Sequence, residues 1–139
     1  MLFNSNIYQP QDVEVRESPL HGRGVFARNK IMRGSLIERA PVIFLSDEEK
    51  DTLRHTRLYH YYFLLGNPQK QTAFGFGYAS FYNHSAEANA FYTFSLRKKT
   101  INIYAYRTIE PGQEVTINYN GKPEDKRVVY FPNSDSNEE

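Results

Sequence analysis

The sequence predicts a small, mainly β domain of short strands with one or two short helices. Apolar and polar residues alternate over 13–15 and 114–119, which is the period of a strand with one buried face. Glycine- and proline-containing turns at 32–34 and 111–112 keep the strands short. The chain has 11 Tyr and 10 Phe among its 139 residues, and aromatic side chains favour strands. This length suits one domain.

The elements can be assigned in chain order. Strands are expected at 13–15 and 25–27, on either side of a turn at 18–22, and then at 36–45, where Pro41 suggests a break or a sheet edge. Ser46 and Glu49 form a capping-box signature, which predicts a helix from about Asp47 to Arg57. An extended segment is expected at 59–65, a hairpin from 89–96 and 100–106, and a final strand at 114–119.

Composition excludes several classes of function. The formal net charge is +1 and charges of both signs are interspersed, so direct binding of nucleic acid is not expected. With no cysteine, disulfides and thiolate zinc sites are excluded, and the four histidines lack ligand-like spacing, so no metal is expected. No signal peptide or membrane-length apolar run is visible, which predicts an intracellular protein without membrane association, cytoplasmic or nuclear. The acidic tail 133–139 is expected to be disordered.

Two glycines stand two positions apart in Gly22-Arg23-Gly24. Glycine lets a ligand approach the backbone closely, although a plain tight turn is a more common reason for this spacing. A dinucleotide fingerprint would need a third glycine and a following helix, which are absent here.

An Asn-His pair and a late tyrosine are the other two candidate features. Asn83-His84 is expected on a turn, with His84 satisfied locally. Without a Gly-x-Ser-x-Gly elbow, a serine-hydrolase triad is not expected. Alternation places Val115, Ile117 and Tyr119 on one face, so Tyr119 ends a packed strand; a core tyrosine bonded to a backbone carbonyl would fit equally well.

In this order and spacing, the three segments resemble the SET domain of S-adenosylmethionine-dependent protein-lysine methyltransferases, most of all the minimal viral histone-lysine methyltransferase type. The resemblance runs from about residue 13 to 121 and includes Gly75-Phe76-Gly77, Asn89 and the lead-in 111–114. It implies a β-clip of small curved sheets with a pseudoknot-like C-terminal segment. One SET domain would span 1–132, with a short closing segment at 122–132.

The same resemblance implies roles for individual residues. Tyr119 would be the catalytic tyrosine, Asn83 would bind near the cofactor ammonium, and His84 would meet the adenine through its backbone. Further cofactor contacts would come from a set of turn and aromatic residues: Gly22, Arg23, Gly24, Tyr82 and Phe131. The lysine channel would be lined by Tyr61, Tyr78, Tyr92 and Ile117. A narrow aromatic channel beside a sulfonium lowers the pKa of the incoming lysine, so no strong base is required.

Departures from the family pattern leave alternatives open. Ser80, Ala88 and Ile117 stand where relatives have arginine, proline and a larger aromatic residue, and the zinc-binding cysteines after the domain are missing. Residues 128–131 are expected to close the channel instead. The expected partner is a protein lysine, most of all in a histone tail, with a homodimer as one expected assembly. A catalytically silent SET-like binding module and an unrelated β-clip protein are the alternatives.

Overall fold

The computed structural model describes residues 7–65 and 71–126, whose strands form two sheets. The strands are β1 (Val13–Glu17), β2 (Arg23–Ala27), β3 (Leu36–Phe44), β4 (Tyr62–Leu65), β5 (Gln71–Gly75), β6 (Asn83–His84), β7 (Ala90–Ser95), β8 (Thr100–Ala105) and β9 (Glu114–Ile117). The prediction of a mainly β fold is confirmed. The closing segment and tail fall largely outside the described residues, so the domain limits and the C-terminal threading stay predictions.

The four-stranded sheet has the order β1-β2-β9-β6 and holds all three candidate segments. β1 and β2 form an antiparallel hairpin, and β2 continues the ladder to β9 through Val25 and Val115. On its other side β9 runs parallel to β6, with Asn83 opposite Thr116 and His84 opposite Ile117. The expected turn at 83–84 is therefore wrong: the pair forms a two-residue edge strand.

The five-stranded sheet has the order β4-β5-β3-β8-β7 and is antiparallel throughout. Its central strand, β3, pairs with β8 from Leu36 to Pro41 and with β5 from Val42 to Phe44. One alternative predicted that Pro41 marks a sheet edge, and this alternative is wrong, because β3 is the central strand. Pro41 lies where the strand exchanges one partner for the other, and its carbonyl accepts a hydrogen bond from the backbone N–H of Phe76.

One α-helix, α1 (Asp47–Leu53), precedes a 3₁₀ turn at Arg57–His60. The predicted capping box is confirmed, because the Ser46 hydroxyl accepts from the Glu49 N–H and the Glu49 carboxylate accepts from the Ser46 N–H. The helix ends earlier than expected, since Thr56 caps the separate 3₁₀ turn through the Leu58 N–H. None of the described helices is long and apolar enough to cross a membrane.

The core lies between the sheets and is built from alternating positions of their strands. Ile101, Ile103 and Ala105 of β8 are buried, as are Val115 and Ile117 of β9. The predicted hairpin at 89–106 is confirmed as β7 and β8. This core fixes the position of β9, and β9 in turn positions the Asn-His pair.

Candidate active site

A pocket of about 160 Å³ opens where the end of β9 meets β6. Four residues predicted for the site from sequence line it: Tyr61, Asn83, His84 and Tyr119. Four others complete the lining: Leu20, His21, His60 and Ser80. Segments separated by about sixty residues on one side and thirty-five on the other therefore meet at one cavity.

Asn83 is oriented by a fixed hydrogen-bond network. Its side-chain N–H₂ donates to the backbone carbonyls of His21 (3.1 Å) and Arg23 (3.2 Å) and to the Glu114 carboxylate (2.7 Å). Three acceptors around one nitrogen settle which end of the amide is which. The amide oxygen has no protein partner among the residues described, and Asn83 borders the pocket while only 6% exposed. A buried acceptor at a pocket wall is suited to a cationic donor.

Glu114 explains one of the two glycines. Its carboxylate accepts from the Ser18 hydroxyl (2.7 and 2.9 Å) as well as from Asn83. A Cβ at Gly24 would lie 2.1 Å from this carboxylate and 2.9 Å from the Asn83 amide nitrogen. The close approach expected of a ligand at Gly24 is therefore made by Glu114. Glycine is favoured at position 22 for a different reason: its φ is 48°, which disfavours other residues. A Cβ at this position would meet open space.

Tyr119 is held at both its backbone and its hydroxyl. Its N–H donates to Nδ1 of His84 (3.1 Å), and its hydroxyl donates to the Tyr82 carbonyl (2.8 Å). Burial raises the pKa of the Tyr119 hydroxyl well above its ordinary value, and the nearby Tyr61 adds to the shift. Burial also lowers the pKa of His84, which keeps its ring neutral and able to accept from the Tyr119 N–H.

Two of the tyrosines predicted for the lysine channel lie near Tyr119; Tyr61 lines the pocket, whereas Tyr92 does not. Tyr61 and Tyr92 both lie near enough to Tyr119 to contribute to the rise in its pKa. The Tyr92 ring packs on Phe63 with centroids 5.9 Å apart, and burial raises the pKa of Tyr92. The Tyr92 hydroxyl therefore stays uncharged at neutral pH. Tyr78 packs partly buried against the core near them, and it does not line the pocket.

Other predicted residues lie away from the pocket. The Tyr82 side chain is 1% exposed and its hydroxyl donates to Glu38, so only the Tyr82 backbone reaches the site, through Tyr119. Ile117 is fully buried in the core and is not part of the pocket lining. Arg23 has an exposed side chain and contributes its carbonyl to Asn83. Phe131 lies outside the described residues.

The departures from the family pattern have local structural substitutes. Ser80 donates to the carbonyls of Gly75 (2.9 Å) and Tyr61 (3.3 Å), so a hydroxyl fixes the backbone where relatives have arginine. Asn118 donates to the carbonyls of Pro123 and Asp125, which ties the chain after β9 to the site. Ala88 is fully buried and packs without the proline that relatives carry there.

Some functional residues were missed from the sequence, although a signal existed for one of them. A glycine inside a strand, such as Gly24, indicates that another group approaches the backbone, and Glu114 is that group. His60 and His21 carry no local signal, because only the folded chain brings the 3₁₀ turn and the glycine loop together. Among the described residues, no three histidine or acidic side chains gather as metal ligands.

The pocket fits the amino-acid end of S-adenosylmethionine. That end carries an ammonium, and the Asn83 oxygen offers it an acceptor beside the Glu114 carboxylate. The pocket is smaller than the roughly 300–1,000 Å³ of complete ligand sites. The described residues therefore enclose part of so large a cofactor, and residues 128–131 stay the predicted remainder of the wall.

Comparisons with known proteins identify the family of this chain. A family model for the SET domain matches residues 22–120. A histone-lysine N-methyltransferase of Schizosaccharomyces pombe (strain 972), specific for lysine 37 of histone H3, is 32% identical over 108 residues, covering 77% of this chain and 72% of the relative. A crystal structure of a candidate histone methyltransferase of Plasmodium falciparum superposes with a TM-score of 0.64 and 26% identity, covering 81% of this chain and 95% of that one. The chain belongs to the SET-domain family of protein-lysine methyltransferases.

Proposed function

We propose that this chain transfers a methyl group from S-adenosylmethionine to a lysine of a histone tail, with histone H3 as the first candidate. The observation that carries the proposal is the convergence of Asn83 and Tyr119 on one pocket, each held by a specific hydrogen-bond network. The names of both similar proteins support a histone as the substrate class. Methylation of lysine 37 of H3 is the first activity to test.

Cofactor binding would depend on the edge of the four-stranded sheet. The Asn83 oxygen would accept from the cofactor ammonium, and Glu114 would add a favourable negative charge behind it. β6 is the last strand of its sheet, and its link to β9 includes the bond from the Ser85 N–H to the Ile117 carbonyl. The backbone of His84 therefore lies at a sheet edge, where it can meet the adenine.

When bound, S-adenosylmethionine supplies a methyl group on a sulfonium. The chain's own residues must present a neutral lysine amine in line with that methyl group, although free lysine has a pKa of about 10.4. Tyr61 and Tyr92 would exclude water and so lower the lysine pKa. Because the raised pKa of Tyr119 keeps its hydroxyl protonated, Tyr119 is not the base.

Tyr119 would instead orient the amine. Its hydroxyl proton is directed to the Tyr82 carbonyl, so the phenol oxygen meets the amine with its lone pairs. Accepting from the amine N–H aims the nitrogen lone pair at the methyl group. The proton lost after transfer passes to solvent, since no carboxylate is among the residues lining the described pocket.

Replacing Tyr119 tests both the function and this role. In Tyr119→Phe we expect methyl transfer to histone H3 to fall by roughly a hundredfold, as for other oriented polar groups at reacting centres. Binding of the cofactor by calorimetry should change by less than about threefold, because Asn83 and the backbone of His84 are intact. The matched control is Tyr104→Phe, which removes a phenol on β8 that stacks on Phe91 outside the pocket and should keep full turnover.

The assay uses purified protein, labelled cofactor, and H3 with either lysine or arginine at position 37. Loss of labelling with arginine supports lysine 37, while retained labelling moves the target to another H3 lysine. Cofactor binding without transfer to any histone or cell-extract protein would favour the silent binding module. We also propose a homodimer, from the viral resemblance alone, and a sedimentation measurement showing only monomers would exclude it.

A further inference from the structure

Glu38 is a buried carboxyl group that the proposed reaction does not use. It lies in β3, is 1% exposed, and forms no ion pair with any Lys, Arg or His in the described part of the chain. Its cross-strand partner is Ile103, and it shares a strand face with Ala40 and Val42. These apolar neighbours in the sheet offer a carboxylate no hydrogen-bond donor or opposite charge. Burying a carboxyl group is costly, and the desolvation raises the pKa of Glu38.

Both oxygens of Glu38 bind the segment that leads into the active site. Oε1 accepts from the Tyr82 hydroxyl (2.8 Å) and Oε2 accepts from the Tyr78 N–H (2.9 Å). Tyr78 and Tyr82 flank the 3₁₀ turn at Ala79–Phe81, so one carboxyl group holds both ends of the turn. The preceding Gly77 has a φ of 63°, and a Cβ there would lie 2.4 Å from Oε2. Residues 77–82 therefore pack closely against this carboxyl group and donate two hydrogen bonds to it.

The held segment orients Tyr119. Tyr82 binds Glu38 with its side chain and accepts the Tyr119 hydroxyl with its carbonyl. The next residues along the chain, Asn83 and His84, line the pocket. We propose that Glu38 is a positioning residue for methyl transfer, which fixes the Tyr82 carbonyl and thereby the direction of the Tyr119 hydroxyl. This inference rests on the proposed function, because it assigns Glu38 a part in that reaction.

Glu38→Gln tests the inference with little change in shape. The glutamine oxygen can still accept from either the Tyr78 N–H or the Tyr82 hydroxyl, but the glutamine NH₂ then faces the other donor. One of the two hydrogen bonds that hold residues 78–82 is therefore lost. We expect kcat for H3 methylation to fall roughly tenfold, as a small misplacement of a reacting group does. Cofactor Kd and the KM for H3 should change by less than about threefold. Ile37→Val, the neighbouring buried position on β3, is the control for simple loss of stability and should keep kcat.

A second readout follows Tyr119 directly. The carbon-13 resonance of the Tyr119 phenol, assigned by its absence from Tyr119→Phe, should shift in Glu38→Gln and stay in place in Ile37→Val. If Glu38→Gln does not fold, Tyr82→Phe takes its place, since it removes the same bond from the other side. Unchanged kcat and an unmoved Tyr119 resonance would overturn the inference. If wild-type protein methylates no substrate, the proposed function fails, and the Tyr119 resonance still decides whether Glu38 positions that side chain.

Discussion

The two sheets of this domain are stabilised in different ways. In the five-stranded sheet, β8 forms long antiparallel ladders with β3 and β7, and its apolar residues Ile101 and Ile103 are fully buried. In the four-stranded sheet, β9 has only two residue pairs with each of its neighbours, and polar side chains complete its bonding. Asn89 donates to the Glu114 carbonyl and accepts from the Thr116 N–H, so a side chain replaces a neighbouring strand there. Alternation of residue types predicts strands of both sheets, whereas individual polar residues complete the pairing of the sheet that carries the site.

Replacing one asparagine in each sheet should give the largest difference in cofactor affinity between variants. Asn83→Ala removes the oxygen proposed for the cofactor ammonium and leaves Glu114 without one of its donors. We expect cofactor affinity, measured by calorimetry, to fall by roughly 10- to 100-fold, the range of a hydrogen bond to a charged group. Asn102→Ala is the matched control, because Asn102 bonds Arg39 and Thr93 on the partly exposed face of β8.

The control should leave cofactor affinity within about twofold, since a surface hydrogen bond away from the pocket affects stability alone. Equal losses of affinity in both variants would show that the two sheets do not divide their roles in this way. An unchanged affinity in Asn83→Ala would remove Asn83 from the ammonium site.

The two glycines of the loop should give an intermediate effect. In Gly24→Ala, the new methyl group would displace the Glu114 carboxylate from Ser18 and Asn83, at a cost of about 1–3 kcal/mol in the free energy of unfolding. Cofactor affinity should fall with it, because the Asn83 network is disturbed. Gly22→Asn meets open space, and asparagine tolerates the positive φ, so we expect a cost below about 1 kcal/mol. Denaturant unfolding measures the stability of the two variants, and calorimetry measures their affinity for the cofactor. A larger loss of stability in Gly22→Asn than in Gly24→Ala would contradict the prediction.

Acidification should give the smallest effect, through His84. Burial lowers the pKa of His84 below its ordinary value, so the unfolded chain binds the proton more readily than the native protein. The stabilisation is fully present above about pH 6.5 and is lost as pH falls toward the folded-state pKa. His84→Gln should therefore flatten the dependence of unfolding free energy on pH in this window relative to the unsubstituted protein. An unchanged slope in His84→Gln would exclude His84 as the source.

The sequence was most informative where a pattern repeats or a motif is contiguous. The capping box at Ser46 and the hairpin at 89–106 follow from local residues and formed as predicted. The strand at Asn83-His84 could not be predicted locally, because its pairing partner lies thirty-three residues away in β9. Tyr82 was misassigned for a similar reason: Glu38, forty-four residues earlier, takes its hydroxyl into the core. An acid on the apolar face of an alternating strand was the available sign of that contact.

The parallel pairing of β6 with β9 also has a consequence for synthesis of the protein. Asn83 and His84 are synthesised about thirty residues before their partner Glu114 and the pairing residues Thr116 and Ile117. A nascent chain that stops before β9 has no strand to hold the Asn-His pair, whatever else has folded. Affinity for the cofactor should therefore require that β9 has emerged, so ligand binding distinguishes nascent chains that contain this strand from shorter ones.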